Sequence, residues 1–135
     1  MKSKAPLALI ELLIMLMVFS LAAAWCLQAF SLADRISRRS AARDSAAVQA
    51  QNAAELLQHF DGDYAAADHC GGSWDGETLR ISFDSRWNVT ASDAVYLVEV
   101  LPVETDSPFL GKAEITVTDA GGDCLITFPA AWQEE

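Results

Sequence analysis

Between Pro6 and Gly62 the chain contains neither proline nor glycine. These two residues interrupt a helix most strongly, and both recur after that point. The interval predicts one unbroken α-helix over residues 7–60, about 80 Å long at ~1.5 Å per residue. Its first half is almost wholly apolar. Across residues 7–32 only Glu11, Ser20, Gln28 and Ser31 break the run. A helix needs about 20 mainly apolar residues to cross a hydrocarbon core ~30 Å thick, so this segment is long enough to span a membrane. Asp34, Arg35, Arg38, Arg39, Arg43 and Asp44 then mark where the helix leaves the apolar phase.

Beyond that exit the helix becomes amphipathic. Ala47, Ala50, Ala54 and Leu57 recur at spacings of three and four, with Ala53, Leu56 and Phe60 widening the stripe. This face is expected to pack on the protein's own sheet.

After Gly62 the period falls to two. In residues 78–84, Leu79, Ile81 and Phe83 alternate with Arg80, Ser82 and Asp84; in residues 112–118, Ala113, Ile115 and Val117 alternate with Glu114, Thr116 and Thr118. Such alternation marks strands with one buried and one wet face. Residues 94–101 are more continuously apolar and read as a central strand. The turn-rich stretch 119–123 leads into residues 124–128 as a hairpin, and Pro129 is expected to end the pairing. The predicted fold is α+β: a transmembrane helix (7–32) and a helical stem (33–60), which packs on an acidic head (61–135) of about four antiparallel strands. A short basic stretch (1–6) precedes them.

Charge is as segregated as hydropathy. From Asp61 onward fifteen Asp and Glu face only Arg80, Arg86 and Lys112, a net charge of −12, whereas the first sixty residues carry +2. A head this acidic repels nucleic acid and anionic lipid, so no nucleic-acid partner is expected for it. Of three cysteines, Cys26 lies in the apolar segment and Cys70 and Cys124 in the head. A disulfide between the latter two would close a loop of about 55 residues, worth roughly 4 kcal/mol on a chain-entropy model. It is the expected pairing if the head lies outside the cytoplasm.

Signals for catalysis and cofactors are poor. His59 and His69 are the only histidines, and His69-Cys70 lacks any further ligand spacing, so no metal or cofactor is expected. Asp61-Gly62-Asp63 begins like a calcium loop but continues without its glycine and terminal glutamate, and reads as a helix-ending turn. Asn88-Val89-Thr90 fits a glycosylation sequon. No nucleophile elbow or triad context surrounds a serine. The chain reads as a non-enzyme.

Two features of the N-terminus point further. The apolar segment follows a basic start with Lys2 and Lys4, and it holds a lone carboxylate, Glu11. A charge deep in a membrane helix costs roughly 2.5–3.5 kcal/mol on insertion scales and tends to have a role or a partner. The string Ala5-Pro6-Leu7-Ala8-Leu9-Ile10-Glu11-Leu12-Leu13-Ile14 resembles the N-terminal signature of type IV pilins and type II secretion pseudopilins. That signature is a short basic leader, a cut, four apolar residues, a glutamate and a long hydrophobic helix. The resemblance implies a cut between Pro6 and Leu7, with Pro6 standing where the family has glycine or, less often, alanine. It further implies a membrane prepilin peptidase that removes the leader and methylates the new amine, and a Glu11 that pairs with the amine of a neighbouring subunit. It implies a pilin-like fold, pilin-like subunits as partners, and a single-pass protein in the cell membrane with its N-terminus cytoplasmic and its head outside. The absence of a mid-membrane proline suits a minor subunit or pseudopilin.

Other readings compete. A secretory signal peptide would be cut after Ala22-Ala23-Ala24, but Glu11 and the helical pattern continuing past Trp25 oppose it. A lipoprotein signal wants a small residue where Trp25 precedes Cys26. The main alternative is a single-pass surface protein whose acidic head binds a protein or ligand without polymerising, with Trp74, Trp87 and Trp132 as candidate contacts.

Overall fold

The computed structural model describes residues 4–68 and 70–133. One α-helix, α1, runs Ala5–His59, so the prediction from proline and glycine spacing holds to within a residue or two at each end. Pro6 sits in the first turn, where its missing N–H would have had no intrahelical partner. A short helix, α2 (Tyr64–Asp68), and five strands follow: β1 (Gly72–Trp74), β2 (Leu79–Phe83), β3 (Tyr96–Val103), β4 (Leu110–Asp119) and β5 (Cys124–Gln133). The chain divides between Ser40 and Ala41 into two compact units.

In the first unit the described part of α1 is exposed on every side. Leu7, Phe19, Trp25 and Phe30 each show 70% or more of their surface. Ser20 turns its hydroxyl back on the helix, donating to the Leu16 carbonyl at 2.7 Å, so that polar group is satisfied without water. Arg38 pairs with Asp34 one turn earlier at 2.8 Å.

The second unit is an antiparallel sheet in the order β1-β2-β3-β4-β5, every strand beside its sequence neighbour. The last turns of α1 supply Ala46, Ala50, Ala53, Ala54 and Leu57 to its core. The sheet answers with Leu79, Ile81 and Phe83, Val98 and Val100, Ala113, Ile115 and Val117, then Ala130 and Trp132. The predicted alternation in β2 and β4 is realised as buried and open faces. The predicted helical stripe holds at Ala50, Ala53, Ala54 and Leu57, and only at its start does it differ, with Ala46 fully buried while Ala47 is partly covered. Ala46, Ala50, Ala53 and Leu57 repeat at four, three and four, which holds one side chain per turn against the sheet.

α1 stops at a Gly62 turn. Gly62 has a φ of 79° and donates its N–H to Leu57 O at 2.9 Å. This is a helix end that glycine adopts at least cost. Asp63 then caps α2, accepting from the N–H groups of Ala65 and Ala66 at 3.0 and 3.2 Å.

Three expectations are corrected. The sheet has five strands, not four: β1 is three residues long and opens on Gly72, too short and too glycine-rich to show a period. Pairing does not end at Pro129, which lies opposite Glu114, and β5 runs on to Gln133. As the edge strand, β5 tolerates a residue with no N–H to give. The expected disulfide is absent, since Cys70 and Cys124 are both free and exposed. Cys70 precedes β1 and Cys124 opens β5, the two opposite edges of the sheet. Four strand spacings separate those edges by about 19 Å, against a Cα separation of at most ~7 Å for a disulfide.

Candidate functional site

The segment of greatest chemical consequence is the start of α1. Pro6, Leu7 and Glu11 all lie in its first two turns and all are exposed. Leu7 and Glu11 are four residues apart, so they share a helix face one above the other. Glu11 makes no hydrogen bond or ion pair with any described residue. It is the one carboxylate on a mainly apolar surface, otherwise interrupted only by Ser20, Gln28 and Ser31, as far as Ala33. By length and composition α1 can cross a membrane. In an apolar phase a lone carboxylate is costly unless it reaches a polar boundary, is neutralised or meets a positive group.

The arginines at the exit are solvent-facing. Arg35, Arg39 and Arg43 form no ion pair among the described residues, and Ile36 between them is 61% exposed.

In the second unit the three tryptophans belong to the packing. Trp132 is 7% exposed, and a Cβ added at Gly111 or at Gly62 would collide with its indole. The two glycines make room for this ring. Trp74 stacks on Tyr64 at 4.7 Å and Trp87 on Tyr96 at 4.0 Å, both against the core. A glycine at the start of a strand signals such a close approach, and Gly111 was the one sign of it in the sequence.

The acidic side chains largely fasten loops. Asp75 accepts from the N–H groups of Thr78 and Glu77 at 2.8 and 2.9 Å and from Arg80. These bonds, with the Arg80 charge, hold its carboxyl down at about 2. Arg80 also donates to Glu99 at 3.1 Å, and the two carboxylates raise its own pKa further. Asp84 is lowered by the Asn88 N–H and side-chain amide, then by Arg86. The sequon residue Asn88 is thus tied to Asp84 through its amide nitrogen at 3.2 Å. Asp119 closes the β4–β5 turn, accepting from Gly121 and Asp123 at 2.8 and 3.0 Å.

A cleft of ≈ 170 Å³ opens between α1 and β2, lined by Gln49, Asn52, Leu56, Cys70, Phe83 and Val89 among others. His59 is exposed and meets Phe60 edge-on; His69 lies outside the described residues. No group of three or more His, Cys, Asp or Glu fit to hold a metal occurs among the described residues. Comparison with family models, characterised proteins and solved structures returns no match.

Proposed function

We propose that this chain is a membrane-anchored structural subunit of a filament of the type IV pilus or type II secretion kind, a minor pilin or pseudopilin, and not an enzyme. The observation that carries the reading is the start of α1. A fully exposed apolar helix bears one carboxylate, Glu11, four residues beyond Leu7, the position where the pilin-like cut falls. Cleavage there frees an amine at the head of the helix. In an apolar phase that amine and a neighbour's Glu11 offset each other when the subunits are in register, and each is costly alone. The leader is read by a prepilin peptidase, the N-terminus is cytoplasmic and the acidic head lies outside. The helix continues into a stem that packs on an antiparallel sheet, as in a pilin.

Replacing Glu11 with Ala tests this. Assembly of the full chain is expected to fail while its membrane insertion persists, because the substitution removes an unpaired charge from the apolar helix. Normal assembly by Glu11→Ala would sink the account of that residue.

A further inference from the structure

The helix between the apolar segment and the head raises a question of stability. Over residues 33–41 every position is exposed, and Arg38–Asp34 is the only ion pair among those described. A helix that is polar on all sides needs several such pairs or a partner. Here Arg35, Arg39 and Arg43 offer three cations with no described anion, and Ile36 adds an exposed apolar side chain between them.

The opposite chemistry is displayed at the tip of the β3–β4 hairpin. Glu104 and Asp106 are exposed and take no part in any described hydrogen bond or ion pair. Val103 and Phe109, on either side of them, are 45% and 68% exposed, Phe109 being the most open large apolar residue of the head. The loop is held in shape from within: the Thr105 hydroxyl contacts the carbonyls of Ser107 and Leu110 at 2.9 and 2.6 Å. The tip therefore presents two carboxylates beside apolar surface on a fixed frame.

We infer that the hairpin tip docks on the arginine segment of a second copy of this chain, Glu104 and Asp106 meeting Arg35 and Arg39, with Phe109 and Val103 against Ile36. The contact rests on the subunit reading above and deepens it by naming one interface of the assembly. Charge selects the occupant. A neighbour's head carries the same −12 and is repelled, whereas the arginine segment is the cationic stretch that lies between the apolar segment and the head. Made head to tail and repeated from copy to copy, the contact yields a chain of subunits, which the filament reading requires.

The test uses full-length protein in phosphatidylcholine vesicles, with energy transfer read between donor- and acceptor-labelled copies. E104K/D106K and R35E/R39E are each expected to weaken association about tenfold or more. Mixing the two variants, or combining all four changes in one chain, is expected to restore it, which neither misfolding nor a lipid contact would do. Loss without restoration overturns the contact. So does an association that ignores both reversals. If only R35E/R39E has an effect, and only when phosphatidylglycerol is added, the arginines serve lipid headgroups and the contact is again overturned. Wild-type copies that never associate would remove the subunit reading itself; wild-type association with silent reversals removes this contact alone.

Discussion

Residues 7–32 and residues 41–59 belong to the same α-helix, yet they solve burial in opposite ways. The first stretch sets Leu, Met, Ile and Phe around its whole circumference and buries none of them in the protein. The second buries four alanines and a leucine and leaves its remaining surface polar or half-covered. Large side chains exposed all round suit an apolar surrounding, such as a bilayer or other protein. Small side chains on one stripe let the helix backbone approach a sheet closely, where dispersion contacts and close packing hold it. Helix formation is common to both stretches and comes from the missing proline and glycine. What differs is the medium each is built for, and that is written in side-chain size.

Perturbing the two stretches separately should give separate readouts. The largest effect is expected from Phe19→Asp with Leu21→Asp. Each charge costs roughly 2.5–3.5 kcal/mol near the middle of a membrane span. The protein should become extractable by alkaline carbonate while the head's thermal transition is unmoved. Retention in the membrane fraction would mean that the apolar stretch does not anchor the chain through its large side chains. Next is Leu57→Ala, which removes a fully buried side chain and should cost about 2–5 kcal/mol. Thermal denaturation of the head should show it, with membrane retention unaltered. Ala50→Leu overfills a fully buried site and should cost about 1–3 kcal/mol, whereas Leu13→Ala, the same change in volume with the opposite sign, should leave the head's transition where it is.

A smaller effect concerns pH. Asp75 has its pKa lowered from 3.8 to about 2 in the folded head. Its contribution is therefore complete above the unfolded value and is lost as pH falls from about 3.8 through about 2. Asp75→Asn should lower the head's stability near neutrality, where the contribution of the carboxylate's bonds to Thr78, Glu77 and Arg80 is complete, and flatten the acid limb in that window. The smallest effect is expected at the thiols. Cys70→Ser with Cys124→Ser should leave the melting temperature under oxidising conditions unchanged, since the two sit at opposite edges of the sheet; a fall of several degrees would mean they are bonded after all.

The helix was legible because its signal is an absence sustained over more than fifty residues, which no local context overrides. β2 and β4 were legible because each has one wet face and so alternates strictly. The misses have physical causes as well. Three-residue β1 cannot show a period. Pro129 marks a strand end in a bare sequence, but it lies on an edge, where a missing N–H is tolerated. The cysteine pairing could not be read, because strand order decides which residues meet and spacing along the chain does not. The start of α1 was the reverse case. Pro6, Leu7 and Glu11 stood out in the sequence, and the structure adds only that Leu7 and Glu11 share a helix face and stand exposed.

The measurement that reaches the central claim most directly is the N-terminal mass and sequence of the protein recovered from native membranes. A filament subunit of this kind should start at Leu7 with a methylated amine, poised to meet a neighbour's Glu11. A start at Trp25 would make the apolar segment a discarded signal peptide, and an unprocessed Met1 would leave an anchored protein without the amine that assembly needs; either result contradicts the account.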